Sequence, residues 1–161
     1  MKRLIPFLAS GFGAGYSPFI PGTMGTLIGI PVLFVLSGIS SPVYEITVLA
    51  FFFLAVWISG KAQEYWGRED DQRIVIDEIV GFLITMLWIP STFFTVICGF
   101  FFFRLFDITK PFPARRLEKV RGGYGVVLDD VMAGVYANIA LHIIHVVFVT
   151  HSLSPGGRGL G

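Results

Sequence analysis

The chain has a single cysteine in 161 residues, and Cys98 lies inside an apolar run. One thiol makes no disulfide framework and, placed there, no zinc site. Charge is also scarce, with Asp, Glu, Lys and Arg together making up 14%. No basic helix or stacked-aromatic pattern supports a nucleic-acid partner. The glycine-rich stretch at residues 11–26, GFGAGYSPFIPGTMGT, lacks the Gly-Lys-Ser/Thr ending of a nucleotide-binding loop. No Ser-His-Asp or Cys-His arrangement accompanies the charged segments, and Cys98 has no nearby base, so covalent catalysis by cysteine has no support. No internal repeat is present.

What is abundant is apolar surface: 54% of residues, with a mean hydropathy of +0.75. That is too much for an ordinary soluble domain and points to a polytopic membrane protein. The length suits one membrane-embedded domain over residues 1–151, followed by a Gly-rich tail at 152–161 expected to be disordered. Met1-Lys2-Arg3 and the short apolar stretch after it imitate a signal peptide but fall short of its ~7–15-residue apolar region, so this start reads as a retained interfacial segment.

Candidate spans are 27–38, 45–60, 79–103 and 131–149. The third crosses once with a kink at Pro90, or twice as a hairpin turning at Pro90-Ser91, each limb then shorter than the ~20 residues of a full span. Lys2-Arg3, the loop with Lys61, Arg68 and Arg73, and the loop with Lys110, Arg115, Arg116, Lys119 and Arg121 all belong in the cytoplasm by the positive-inside rule. Only the hairpin permits that. The expected fold is therefore an all-α integral membrane protein, a small helical bundle with a short hairpin over 79–103 and an active site on the cytoplasmic side.

Within this apolar chain two acidic pairs stand out, Asp77-Glu78 and Asp129-Asp130, each just before an apolar run. An uncompensated charge at the centre of a membrane helix costs roughly 2.5–3.5 kcal/mol. Adjacent carboxylates repel by about 3 kcal/mol at ~5–6 Å with an effective dielectric near 20. A divalent cation relieves both costs, and a hard ion such as Mg²⁺ prefers carboxylate oxygen. Helical spacing aligns Asp77 with Gly81 and Thr85, and Asp130 with Gly134, Asn138 and His142. Small and polar residues at this spacing suit a bundle interior, so the two pairs are expected to converge. The simpler reading is N-capping, since Asp at a helix start is favourable with the dipole.

Two further clusters flank the pairs. Arg104, Asp107 and Lys110 recur every three residues before Pro111 and Pro113 end the helix, offering an anion two cations and a metal one more carboxylate. Alternatively they are a local ion pair with snorkelling basic side chains. The residue 11–26 segment is too rich in Gly and Pro to begin a regular helix. Its amides, with Thr23 and Thr26 at the start of a helix, form either a phosphate-accepting nest or merely a turn-rich connection. His142, His145 and His151 read as bundle hydrogen-bonders, and Arg115, Arg116, Lys119 and Arg121 as contacts to anionic head groups.

Four ordered blocks resemble the phosphatidylglycerophosphatase A family: Pro21-Gly22-Thr23-Met24-Gly25-Thr26; Asp77-Glu78 with Gly81; the run from Phe103 through Arg104, Asp107 and Lys110 to Pro113; and Gly122-Gly123-Tyr124-Gly125 through Asp129-Asp130 to Gly134. The resemblance covers residues 8–149. It implies a multi-pass protein of the bacterial inner membrane and an Mg²⁺-dependent phosphatase that converts phosphatidylglycerophosphate to phosphatidylglycerol and phosphate. With it, Asp77, Glu78, Asp129 and Asp130 are the expected metal ligands and Asp107 a further ligand or general base. Thr23, Thr26, Arg104 and Lys110 are the expected substrate-binding groups. The Pro-Ser-Gly-His block of histidine-dependent lipid phosphatases and the Asp-Gly-x-x-Ala-Arg block of CDP-alcohol phosphotransferases are absent. The alternative is a small cation or solute transporter or channel, which would spread its acids towards the midplane and both sides.

Overall fold

The computed structural model describes residues 3–69 and 71–153, with side chains to residue 147. Met1, Lys2, the side chain of His151 and residues 154–161 of the tail lie outside the described residues, while 152 and 153 continue the last helix. The described residues form seven helices: α1 (Leu4–Ala9), α2 (Pro21–Leu36), α3 (Ser41–Trp66), α4 (Ile76–Thr85), α5 (Phe93–Thr109), α6 (Ala114–Leu117) and α7 (Gly123–Leu153). A short 3-10 turn, Ala14–Tyr16, precedes α2. The all-α expectation holds, and α3 and α7 are long and apolar enough to cross a membrane.

The apolar stretch 79–103 is broken where the hairpin reading places its turn. Helix α4 stops at Thr85 and α5 starts at Phe93, with Pro90 and Ser91 between them. Thr92 closes the new start, its Oγ accepting from the Thr95 N–H at 3.3 Å while its own N–H donates to Thr95 Oγ1 at 3.0 Å. The ten-residue α4 is the centre of the bundle, packed by α2, α3, α5 and α7. A helix that ends inside protein leaves carbonyls without intrahelical partners. Here Asn138 Nδ2 of α7 donates to the carbonyls of Thr85 at 3.0 Å and Leu87 at 2.8 Å, and the Tyr44 hydroxyl of α3 donates to that of Leu83 at 3.0 Å. Irregular backbone inside a bundle is tolerated where protein supplies such partners. Asn138→Leu should therefore lower the thermal midpoint in detergent, costing about 1–3 kcal/mol for two orphaned carbonyls. An unchanged midpoint would remove Asn138 from the support of α4.

Two boundaries differ from the expected ones. Helix α2 begins at Pro21, so residues 22–26 are helical. Proline suits the first helical position, where its missing N–H is not needed. Gly25 and Gly29 are there for proximity: a Cβ would sit 2.7 Å from Val75 Cβ in the first case and 3.0 Å from the Phe82 ring in the second. Helix α7 begins at Gly123, two turns before Asp130. Glycine again permits close approach, because a Cβ on Gly123 would collide with the Val56 carbonyl of α3. The acidic pairs consequently do not cap their helices. Asp129 and Asp130 lie inside α7, and the N-cap of α4 is Val75, with no side-chain cap.

Candidate active site

The two stripes read from the sequence meet at a close crossing of α4 and α7. A Cβ on Gly81 would lie 2.8 Å from the Asp130 carbonyl, and one on Gly134 would collide with the Gly81 carbonyl. Thr85 Oγ1, one turn further along α4, is 3.0 Å from the Gly81 carbonyl and 3.5 Å from that of Gly134. Asp77 and Asp130 stand one turn from the crossing in the other direction, and so they are forced together. Carboxylate oxygens of Asp77, Glu78 and Asp130 lie within 4.8 Å of one another.

This trio lines a cavity of about 430 Å³ formed by the start of α2, the start of α4, the end of α5 and the first turns of α7. The lining holds far more acid than base, and three cations hold four of the acids. Arg104 Nη1 is 2.6 Å from Asp107 Oδ2. Lys110 Nζ is 2.7 Å from Asp129 Oδ2 and 3.1 Å from Glu118 Oε1. Asp71 holds the Arg73 guanidinium through both carboxylate oxygens, and that guanidinium lies 4.5 Å from the Trp66 ring centre. Asp77, Glu78 and Asp130 have no basic group at ion-pair distance among the described residues. Asp77 Oδ1 and Glu78 Oε2 are buried and without a hydrogen-bond partner. A buried carboxylate oxygen left so is costly, and a hard divalent cation is the partner that these two fit together with Asp130.

The loop charges follow from these contacts. The hydrogen bond from Arg73 is the main reason the Asp71 carboxyl titrates below the usual carboxylate range, against the opposing effect of burial. Burial works against the Lys110 ammonium, but the hydrogen bonds and charges of Asp129 and Glu118 outweigh it, and its pKa rises. Lys110 is therefore cationic at neutral pH. It ends α5 with a left-handed backbone, φ 43°, uncommon for a residue with a side chain.

The first turn of α2 supplies the remaining wall. Pro21, Gly22 and Thr23 line the cavity, where the first N–H groups of a helix have no intrahelical acceptor. A Cβ on Gly22 would collide with Glu78 Oε1 and lie 3.0 Å from Arg104 Nη1, so glycine is what lets this turn approach the acids. At the rim Phe19 and Ile108 are 89% and 72% exposed, giving the mouth an apolar lip above an ionic floor.

Of the residues expected at a site, Asp77, Glu78, Asp107, Asp129, Asp130, Thr23, Arg104 and Lys110 all line this cavity. Thr26 does not: it is fully buried, and its hydroxyl donates to the Gly22 carbonyl at 3.0 Å. The helical start at Pro21 turned it inward. Asp129 lines the cavity but is held by Lys110 rather than grouped with the trio. Asp71, Gln72 and Glu118 are cavity residues that no sequence motif singled out. His142 Nδ1 is 3.0 Å from the Asn138 carbonyl, a contact within α7, as expected of a bundle histidine.

The family model for Phosphatidylglycerophosphatase A matches residues 7–145. A putative phosphatidylinositol-3-phosphatase of Bacteroides thetaiotaomicron is 40% identical over 154 residues, covering 89% of this chain and 96% of that protein. Phosphatidylglycerophosphatase A of Escherichia coli K12 is 36% identical, covering 85% of this chain and 81% of its own. The protein of that description from Haemophilus influenzae is 38% identical, covering 87% and 88%. No solved structure matches the chain. The likeness runs from within α1 to within α7 and includes all four walls of the cavity, which with the two long apolar helices describes a membrane-associated, lipid-acting hydrolase. The chain belongs to the phosphatidylglycerophosphatase A family.

Proposed function

We propose that the chain hydrolyses the phosphomonoester of phosphatidylglycerophosphate, giving phosphatidylglycerol and inorganic phosphate, in an Mg²⁺-dependent reaction at the cytoplasmic face of a bacterial inner membrane. The observation that carries this reading is the trio Asp77, Glu78 and Asp130, which among the described residues has no basic group at ion-pair distance, inside a cavity walled by Arg104, Lys110 and a helix N-terminus. These three residues hold the ion. When bound, Mg²⁺ supplies positive charge to the phosphoryl oxygens and makes the attacking water more acidic.

The chain's own groups do the rest. Arg104, fixed by Asp107 and with its Nε unpartnered, binds a non-bridging oxygen. Lys110 faces another, and Thr23 with the Gly22 amide completes the cradle. Asp129 Oδ1, buried and unpartnered while Lys110 holds Oδ2, takes the water's proton. The apolar lip of Phe19 and Ile108 suits a substrate whose other end is a lipid. A cation pathway, by contrast, calls for acids distributed along the bundle. Here Glu45 stands apart at the other end of α4, engaged by Trp88 Nε1 at 2.7 Å and Ser41 Oγ at 2.8 Å.

The test is phosphate release in detergent micelles from phosphatidylglycerophosphate, phosphatidylinositol 3-phosphate and glycerol 3-phosphate, with Mg²⁺ and then with EDTA. The phosphatidylglycerophosphate rate should be the highest and should fall about 10²-fold or more on chelation. Turnover indifferent to EDTA sinks the metal, and cation flux in liposomes without any turnover sinks the enzyme. A preference for the inositol lipid would move the substrate to the one in the name of the Bacteroides relative.

A further inference from the structure

Two-metal phosphatases place a second ion about 3.5–4 Å from the first, clamping the attacking and leaving oxygens together. The cavity has acids enough for this: Asp107, Glu118 and Asp129 stand beyond the trio. Their surroundings differ from those of the trio. Asp107 is already paired with Arg104, and Asp129 and Glu118 converge on a single group, the Lys110 ammonium. Lys110 is three-quarters buried and Asp129 more so, with side-chain exposures of 27% and 7%. A lysine held between two carboxylates, on a backbone turned into the left-handed region, is an internal cation at a fixed address.

We propose that the site takes one divalent ion, at Asp77, Glu78 and Asp130, and that the Lys110 ammonium stands in the place of a second. The inference rests on the metal reading given under Proposed function and extends it to stoichiometry and to the work of Lys110. Its single charge offsets one of the two carboxylates it bridges, Asp129 and Glu118, and gives the phosphoryl group a second cation that is never lost to dilution or chelation. An ammonium is a compact point charge with three donors and no coordination geometry of its own. It therefore positions the phosphate without competing with the trio for the ion.

The experiment counts Mn²⁺ bound per chain by electron paramagnetic resonance on the full-length protein in nonionic detergent. Wild type should bind one ion, and Asp130→Asn should lose it. Lys110→Met frees Asp129 and Glu118 and should raise the count to two, and adding Asp129→Asn should return it to one. Lys110→Arg, which keeps the charge, should stay at one. Two ions in the wild type would overturn the inference, as would a folded Lys110→Met protein that still binds one. Should Lys110→Met fail to fold, the wild-type and Lys110→Arg counts decide. No bound ion in the wild type would instead overturn the metal reading on which this rests.

Discussion

Asp130→Asn should abolish phosphate release while leaving a folded, membrane-inserted protein. The substitution changes neither size nor shape, and Asp130 sits inside α7 with no basic partner whose charge would be stranded. What it removes is one of three carboxylates whose oxygens converge within 4.8 Å. A bound ion supplies several kcal/mol of charge stabilisation in the transition state. Losing about 4 kcal/mol of it slows turnover by about 10³-fold. The neutral amide also relieves crowding in the empty trio, so thermal stability without metal should hold or rise. The measurements are the turnover rate with saturating Mg²⁺ and the unfolding midpoint with EDTA. Full activity would take Asp130 out of the ion's coordination shell. A collapse of the midpoint would make it a structural residue.

Gly134→Ala should cost both activity and stability, although alanine is the better helix former. Intrinsic propensity favours the alanine by about 1 kcal/mol. Against that, the new methyl would collide with the Gly81 carbonyl, and the Gly81 Cα would be only 3.3 Å away. These are backbone atoms of the central helix and have no rotamer by which to yield. Overpacking of this kind costs typically 1–3 kcal/mol, so the clash outweighs the propensity. The helices must part, and Asp77 and Asp130 part with them. A displacement of ~1 Å at a reacting centre is worth about 10²-fold in rate. Gly60→Ala in α3 is the control, since its Cβ would meet the nearest atom at an ordinary 3.6 Å. It should be neutral or slightly stabilising. If Gly134→Ala turned over like the wild type, the α4–α7 crossing would not be what sets the carboxylate geometry.

The crossing was legible before any coordinates because it obeys a period. Asp77, Gly81 and Thr85, and Asp130, Gly134 and Asn138, recur every four residues, and a helix converts that spacing into one face. The break at residues 86–92 was legible for a different reason: Pro90-Ser91 interrupts the apolar run where the hairpin reading places its turn. Where glycines gather, sequence reasoning misread them. The clusters at residues 22–25 and 122–125 look like loops, yet a helix begins at each, and Gly25 and Gly123 answer to a neighbour's backbone. That neighbour is distant in sequence, and local propensity carries no trace of it. Thr26, near the start of α2, faces inward with its hydroxyl on the Gly22 carbonyl, a direction that composition does not reveal. Asp71, Gln72 and Glu118 reach the cavity from irregular segments, whose paths no periodicity records. Asp129 shows the limit of composition alone. Its acidic neighbour marks a site, but only the position of Lys110, nineteen residues away, separates it from the trio.

Because α7 starts two turns before its acids, Asp130 lies about 10 Å along the helix axis from its first residue. Fraying at that end, where a helix is least held, therefore stops short of the carboxylates. The acids ride on the part of the rod that stays closed.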